Sequence, residues 1–413
     1  MEMKQGFKQT EIGLIPKDWR VAKLGEIASI STGSTPSTAH REFYGDEFLF
    51  VSPVDLSDAK WIKNTAKKLS SIGFGISRRF PKSSILFTCI GSTIGKCGVA
   101  TVDLTSNQQI NAVMPSPTYN TDFLYYALCL LSPSIRRLAG EQAVPLINKT
   151  QFSETLIPLP ALPEQKAIAG ILNDTDALIE SLNQVLEKKR NVRQAVTHQL
   201  LSGKIRLPGF GGVWDVRCLG DFGATFGGLS GKSKEDFGHG GGRYITFMNI
   251  MGNVVIDCNA LELVEIAPTE SQNRVAVGDI FFNGSSETAE EVGMCAVLLN
   301  EVHDVFLNSF CFGFRLHQRA QADGLYLAYY FRSQEGRKLL KSLGQGAIRY
   351  NLSKTALLKL PFRIPSHPEQ IAIAGTLSDI DAEIAGLEKR CNKVNSIKQG
   401  LMQKLLTGKT RLL

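Results

Sequence analysis

The chain contains itself twice. Residues 163–207 (PEQKAIAGILNDTDALIESLNQVLEKKRNVRQAVTHQLLSGKIRL) recur at 368–412 (PEQIAIAGTLSDIDAEIAGLEKRCNKVNSIKQGLMQKLLTGKTRL), offset by 205 residues without a gap, with 21 of the 45 positions identical. A period this long lies outside the range of solenoids and propellers. It divides the chain into two domain-sized halves that end in the same segment. At 413 residues there is chain enough for two to four domains with cores of their own.

The repeated segment reads as a long helix. Pro163 and Pro368 stand in its first turn, where the missing N–H has no helical partner to lose. Ser366 and Glu369 have the spacing of a capping box. Gly203 and Gly408 suit left-handed C-terminal caps. About 38 proline-free residues between these limits correspond to roughly 57 Å of helix. One stripe steps 4,3,4,3 through Ile168, Leu172, Thr175, Ile179, Leu182, Leu186, Lys189, Arg193, Val196 and Leu200. Its copy runs through Ile373, Leu377, Ile380, Ile384, Leu387, Cys391, Val394, Lys398, Leu401 and Leu405. Five heptads in phase predict a left-handed coiled coil. Equivalent surfaces meeting across a two-fold axis perpendicular to the helices predict antiparallel pairing.

The regions before each helix are related more distantly. Trp19, Val21, Leu24, Gly25 and Gly33 match Trp214, Val216, Leu219, Gly220 and Gly228 at an offset of 195. Asp122-Phe-Leu-Tyr-Tyr-Ala matches Asp323-Gly-Leu-Tyr-Leu-Ala at 201. Short apolar runs (FLFVSPV, SSILFTCIG, YITFMNI, GDIFFNG, CFGFRL) between Gly, Ser and Asn turn signals read as strands. The fold class is therefore α+β: two similar domains, mixed and partly β-barrel-like, separated by an antiparallel coiled coil of the two repeated helices. The divisions fall at 1–155, 156–207, 208–360 and 361–413, with short helices near 121–139 and 322–343.

Composition narrows the partners. The longest apolar run, FLYYALCLL, is too short to span a bilayer, and the first residues hold no apolar signal-peptide core. Eight scattered cysteines without a C-x-x-C pair read as reduced thiols of a cytoplasmic protein. A net charge of +7 fits a polyanionic partner. Residues 59–82 hold seven Lys/Arg and no acid, with Trp61, Phe74 and Phe80 interleaved. Lys60, Lys63, Lys67, Lys68, Arg78 and Arg79 are thus candidate phosphate contacts. In the second half Lys232, Lys234, Arg243 and Arg349 are the counterparts. Polar loops at 31–41, 91–96, 106–109, 283–287 and 345–353 carry side chains able to read base edges.

Enzyme signatures are missing. GGLSGKS (227–233) has Phe226 where a phosphate-binding loop needs glycine. DFG occurs twice without other kinase elements, and the six histidines show no metal-ligand spacing. The reading is a chain with no catalytic residues and no metal.

IPLPALPEQ (157–165), its echo RIPSHPEQ (363–370), the helix ends LLSGKIRL and LLTGKTRL, and the opening IGLIPKDWRVAKLGEIASISTG (12–33) resemble the specificity subunits of type I restriction–modification enzymes. The resemblance covers essentially the whole chain and implies two target-recognition domains, each reading half of a bipartite double-stranded DNA site. It also implies helices that space the domains and dock two modification (methyltransferase) subunits. On those and on motor/restriction subunits it places S-adenosylmethionine, ATP and magnesium. It points to the loop after a central strand, with Ser92, Thr93 and Lys96, and to its counterpart with Asn283 and Ser285. For the helices it implies partner-binding and coiled-coil roles for Ile168, Leu172, Ile179, Leu182, Leu186, Ile373, Leu377, Ile384, Leu387 and Leu401.

Other classes stay open on the residues alone. One is the specificity subunit of a related methyltransferase/nuclease system. Another is an enzyme with unfamiliar motifs. A third is a coiled-coil scaffold that binds no DNA, against which the basic 59–82 segment argues.

Overall fold

The computed structural model describes residues 6–140, 143–345 and 349–412. The chain forms two compact units, Met1–Asn183 with Lys389–Leu413, and Gln184–Glu388. The boundary falls inside both repeated helices, Leu162–Leu201 and His367–Leu405.

In the first unit a five-stranded sheet has the order Ile30–Thr32, Ile110–Val113, Ile85–Thr88, Cys97–Ala100, Trp61–Ile62. A second has the order Tyr44–Gly45, Lys67–Leu69, Phe48–Val51, Leu104–Ser106, Arg79–Phe80. Successive side chains of a strand point to opposite faces. Ile85 and Phe87 accordingly enter a core with the helix Thr121–Arg136, whereas Leu86 enters a core with Leu49, Phe80 and Leu104 of the other sheet. Covering on both faces is why this strand reads as an unbroken apolar run.

The second unit repeats the plan. Gly223–Gly227, Cys311–Leu316, Ile280–Asn283 and Cys295–Val297 form one sheet. Leu261–Val264, Phe237–Ile245 and Val305–Leu307 form another. Ile280 and Phe282 enter the core of the helix Gly324–Arg332, and Phe281 enters the opposite one. Each unit also keeps one parallel pair at the corresponding place, Phe48–Val51 with Leu104–Ser106 and Phe237–Ile245 with Val305–Leu307. Every one of these sheets has two open edges, so among the described residues none closes into a barrel. The barrel-like expectation gives way to open sheets whose central strands are buried by a helix on one face and a second sheet on the other.

Each unit pairs its portions of the two long helices. In the first, Lys398 binds Asp176 at 2.6 Å and the Cys391 thiol donates to Asn183 at 3.3 Å. In the second, Arg193 grips Asp381 with two bonds, Lys189 binds Glu383 and Arg190 binds Glu388. Asp176 and Asp381 are the same repeat position, as are Arg193 and Lys398. One ion pair is therefore made twice, once in each unit. Three charged interruptions of the stripe, Lys189, Arg193 and Lys398, are the cations of these pairs. Ile168, Leu172, Leu182, Leu186, Ile373, Leu377 and Ile384 are buried, while Ile179, Leu387 and Leu401 are half-buried.

The Pro-Glu-Gln tripeptide that opens each helix is a joint. Glu164, 1% exposed, accepts from the Trp19 indole N–H at 3.0 Å and from Arg411 at 2.6 and 2.9 Å. Arg411 also grips Asp18, whose carboxyl it holds below the usual range. In the second unit Glu369, equally buried, takes two 2.5 Å bonds from Arg206, whose guanidinium lies over the Trp214 ring. Gln165 and Gln370 accept from the backbone N–H groups of Asn120 and Asp323 at 2.9 Å. Those two residues are the N-caps of the packed helices Thr121–Arg136 and Gly324–Arg332. The expected capping box at Ser366 is not among the hydrogen bonds of this turn, and both Glu369 oxygens accept from Arg206 instead. Gly203 (φ 70°) and Gly408 (φ 68°) cap the helices in the left-handed conformation. The chain then turns back, with Ile205 N–H on Gln199 and Thr410 N–H on Lys404, which brings Arg206 and Arg411 to their carboxylates.

Arg206→Ala or Arg411→Ala should each cost about 2–3 kcal/mol. Each strips a buried carboxylate of its cation, at less than the full cost because the guanidinium keeps one edge in water. The urea midpoint is the check, and Glu164→Gln combined with Arg411→Met should recover part of the loss.

Candidate nucleic-acid interface

Each unit gathers four backbone segments where its central strand ends. In the first unit Cys89 follows the strand Ile85–Thr88. Its N–H donates to the carbonyl of Gln109, and its carbonyl accepts from Ile147 N–H, both at 2.8 Å. Asn107 closes a tight turn: its side-chain oxygen accepts the N–H of Gln109 at 3.1 Å, and its amide nitrogen donates to the Gln109 side chain at 2.8 Å. Gly33 lies so close that a Cβ there would stand 2.1 Å from the Asn107 carbonyl. Ser34 N–H donates to Ser106 O, and the Thr35 hydroxyl reaches Gln108. Segments 33–35, 88–91, 107–109 and 145–147 form one rim rich in amides and hydroxyls. The turn 91–96 follows it, with Gly91 and Gly95 both at φ near +100°, Ser92 and Lys96 exposed and Thr93 half-buried.

The second unit builds the same rim. Gly284 N–H donates to the Phe310 carbonyl at 3.2 Å, and Gly284 O accepts from Leu352 N–H at 3.0 Å. The Asn308 side-chain oxygen accepts the N–H of Phe310 at 3.0 Å. A Cβ at Gly228 would stand 2.1 Å from the Asn308 carbonyl. The Gly33/Gly228 match in the sequence thus marks a place where only hydrogen fits. Asn107 lies in the polar loop 106–109 named from the sequence, whereas Asn308 lies in none of the named loops; the shared signal is an asparagine placed shortly before a strand in both halves.

The basic segment divides among three places. Lys67 and Lys68 lie in the strand Lys67–Leu69 and Arg79 in the strand Arg79–Phe80 of the same sheet, with Lys67 and Arg79 exposed and Lys68 half-buried. Arg78, also exposed, joins the rim by its backbone N–H on Ser34 and its guanidinium on the Thr32 carbonyl. Lys63 is exposed and reaches Glu180 of the first long helix at 2.9 Å.

Lys60 is a correction. It is 5% exposed, binds Asp122 at 2.7 Å and Asn173 at 2.5 Å, and lies against the Trp61 and Tyr126 rings. Burial lowers its pKa, and the Asp122 contact opposes that. Its charge is paired with Asp122 inside the unit. Two others are also internal. Lys232 pairs with Glu270 at 2.7 Å, its side chain 3% exposed. Asn283 is fully buried, donating to Glu291 O and accepting from Ser285 N–H.

Lys234 and Arg243 are exposed, and Arg243 lies on the strand Phe237–Ile245. Ser285 pairs with Asn351 in a short ladder beside Gly284, next to exposed Arg349. Positions 346–348 of the 345–353 loop lie outside the described residues. Among the described residues no group of three or more His, Cys, Asp or Glu side chains could hold a metal ion, and no helix is long and apolar enough to cross a membrane.

Two units that share the order of their central strands and display one rim with different side chains define a duplicated recognition subunit. The chain belongs to the family described as type I restriction modification DNA specificity domain, which it matches at residues 16–188 and again at 212–398. It is 34% identical over 193 residues to the type I restriction enzyme MjaIX specificity subunit of Methanocaldococcus jannaschii, covering 44% of each chain. It is 29% identical to the HindI specificity subunit of Haemophilus influenzae over 46% of this chain and 42% of that one. It therefore spans under half the length of these two relatives. It is 26% identical to the putative MjaX specificity subunit of M. jannaschii over 99% of this chain and 97% of the relative. In fold it is similar to the S subunit of a type I restriction–modification system from M. genitalium, with a TM-score of 0.55 at 16% identity over 98% of both chains. A chain from a structural study of complex assembly and conformational transition in the type I system gives 0.57 at 15% identity, over 96% of this chain and 99% of that one.

Neutralising Lys67, Lys68, Arg78 and Arg79 one at a time should weaken binding to every DNA duplex alike and flatten the log-affinity against log-salt slope by about 0.9 for each phosphate no longer neutralised. Lys60→Met should leave that slope unchanged and instead lower the melting temperature, by leaving Asp122 without its cation. Four unchanged slopes would remove the assignment.

Proposed function

We propose that this chain is the DNA-specificity subunit of a type I restriction–modification complex. It reads a bipartite, asymmetric double-stranded site with two recognition domains, about 1–155 and 208–360, and has no catalysis of its own. The helical regions 156–207 and 361–413 pair as an antiparallel coiled coil, set the distance between the domains and dock two modification subunits. Motor/restriction subunits complete the assembly in the cytoplasm, and S-adenosylmethionine, ATP and magnesium belong to the partners. The observation that carries this reading is the family match to both halves, together with one rim geometry built twice from unlike side chains. The DNA-facing set comprises Lys63, Lys67, Lys68, Arg78, Arg79, Ser92, Thr93 and Lys96 in the first domain. In the second it comprises Lys234, Arg243, Ser285 and Arg349.

The test is single-molecule sequencing of DNA methylation in cells that carry the chain with its modification subunits. One bipartite motif with unlike halves is expected. Replacing 208–360 by another domain of the family should change one half-site and leave the other intact; a change in both would contradict modular reading.

Seven residues inserted near 183–186 and at the matching place in the second helix preserve heptad phase and add about 10 Å to each helix. The gap between half-sites should lengthen by up to about three base pairs at 3.4 Å each, with half-site sequences retained. An unaltered gap in an active variant would show that the helices do not set the spacing.

A further inference from the structure

The two rims display one position each on the same rigid support, and the side chains there differ in kind. In the first unit it is Gln109 and in the second Phe310. Both have their N–H tied to the side-chain oxygen of an asparagine two residues earlier, at 3.1 and 3.0 Å. Both have their carbonyl tied to the N–H of the residue that follows the central strand, Cys89 at 2.8 Å or Gly284 at 3.2 Å. Asn107 and Asn308 are fixed in turn, their N–H groups on Val51 O and Ile245 O. Glycine behind each asparagine leaves no slack.

A lone exposed phenylalanine is ordinary on a protein surface. Phe310 is different because its backbone is held on both sides while the residue stays 65% exposed. Phe312 and Phe314, in the strand Cys311–Leu316 that follows, are buried, whereas Phe310 is left exposed. Through Gly284 it adjoins the polar Ser285–Asn351 ladder, which Arg349 flanks. A phenyl ring makes no hydrogen bond to a base edge. What it can recognise in the major groove is the one apolar group there, the 5-methyl of thymine.

We propose that 109 and 310 are corresponding base-contacting positions, and that Phe310 selects a thymine in the second domain's half-site by packing on its methyl group. Gln109 does the equivalent work with hydrogen bonds, its amide oriented by Asn107. The inference rests on the DNA-reading function proposed above and names a residue and a base for it.

The test uses the full chain assembled with its modification subunits and duplexes carrying the methylated motif recovered for the wild type. Each thymine is replaced in turn by uracil, which removes only the methyl. One replacement in the second half-site should weaken wild-type binding roughly three- to fivefold, the worth of one buried methyl. Phe310→Ala, with an unchanged thermal midpoint because the ring is exposed, should bind the thymine and uracil duplexes equally. A wild type indifferent to every replacement, or a Phe310→Ala complex that keeps the discrimination, overturns the proposal. So does a uniform loss of affinity without methyl dependence, which would mark the ring as a wedge between base steps.

Phe310→Gln gives a second readout. The motif methylated in cells should change in the second half-site alone, and an identical motif overturns the proposal. A wild type that methylates no bipartite motif would instead remove the function on which the inference rests.

Discussion

A carboxylate taken out of water needs a cation beside it, and Glu164 and Glu369 obtain theirs from the far end of the other repeat. Arg411 closes the first unit on Glu164 and Arg206 closes the second on Glu369. Much else follows from these contacts. They fix where each helix starts relative to its domain, since Trp19 and Trp214 pack against the same guanidinium groups. They place Gln165 and Gln370 to lock the N-caps of the helices that cover the sheets. They also require that the helix ends turn back, which is why glycine stands at 203 and 408. The near-identical wording at the ends of the repeat, PEQ and GK-x-RL, is the sequence of a lock written once on each half.

Between these fixed ends the domains vary freely. The order of the central strands, one parallel pair and the two-sided burial of the central strand are common to both units. The side chains on the rims are not. A support that holds backbone positions by hydrogen bonds to Asn107 and Asn308, rather than by the displayed side chains, lets those side chains change without disturbing the fold. Such a design separates recognition from stability.

The duplication, the two long helices and their glycine caps were legible because they rest on periodicity and on an internal comparison of the chain with itself. The strands were legible as apolar runs, though not their arrangement into open sheets. What misled was charge. Lys60 lies in the most basic stretch of the chain, yet its ammonium is buried against Asp122, contributed from 62 residues later. Lys232 is likewise consumed by Glu270. Whether a lysine faces solvent depends on a distant carboxylate, and no local pattern reports that. The rims were half visible, as polar loops without a stated geometry. Phe310 was not visible at all, because an exposed aromatic and a buried one look alike in sequence.

The partition of the chain carries a consequence for its synthesis. The second unit, Gln184–Glu388, is one uninterrupted stretch, whereas the first needs Met402, Leu405, Leu406 and Arg411 to complete its core and its ion pair. A ribosome works from the N-terminus, and domains generally fold as they emerge. Here the half made first cannot finish until residues 389–413 emerge, and the half made second has all its parts earlier. Until then the apolar face of the first long helix, with Ile168 and Leu172, waits without its closing partner. The two units are therefore completed in the reverse of the order in which they are begun, and residues 389–413 act as the closing piece of the first.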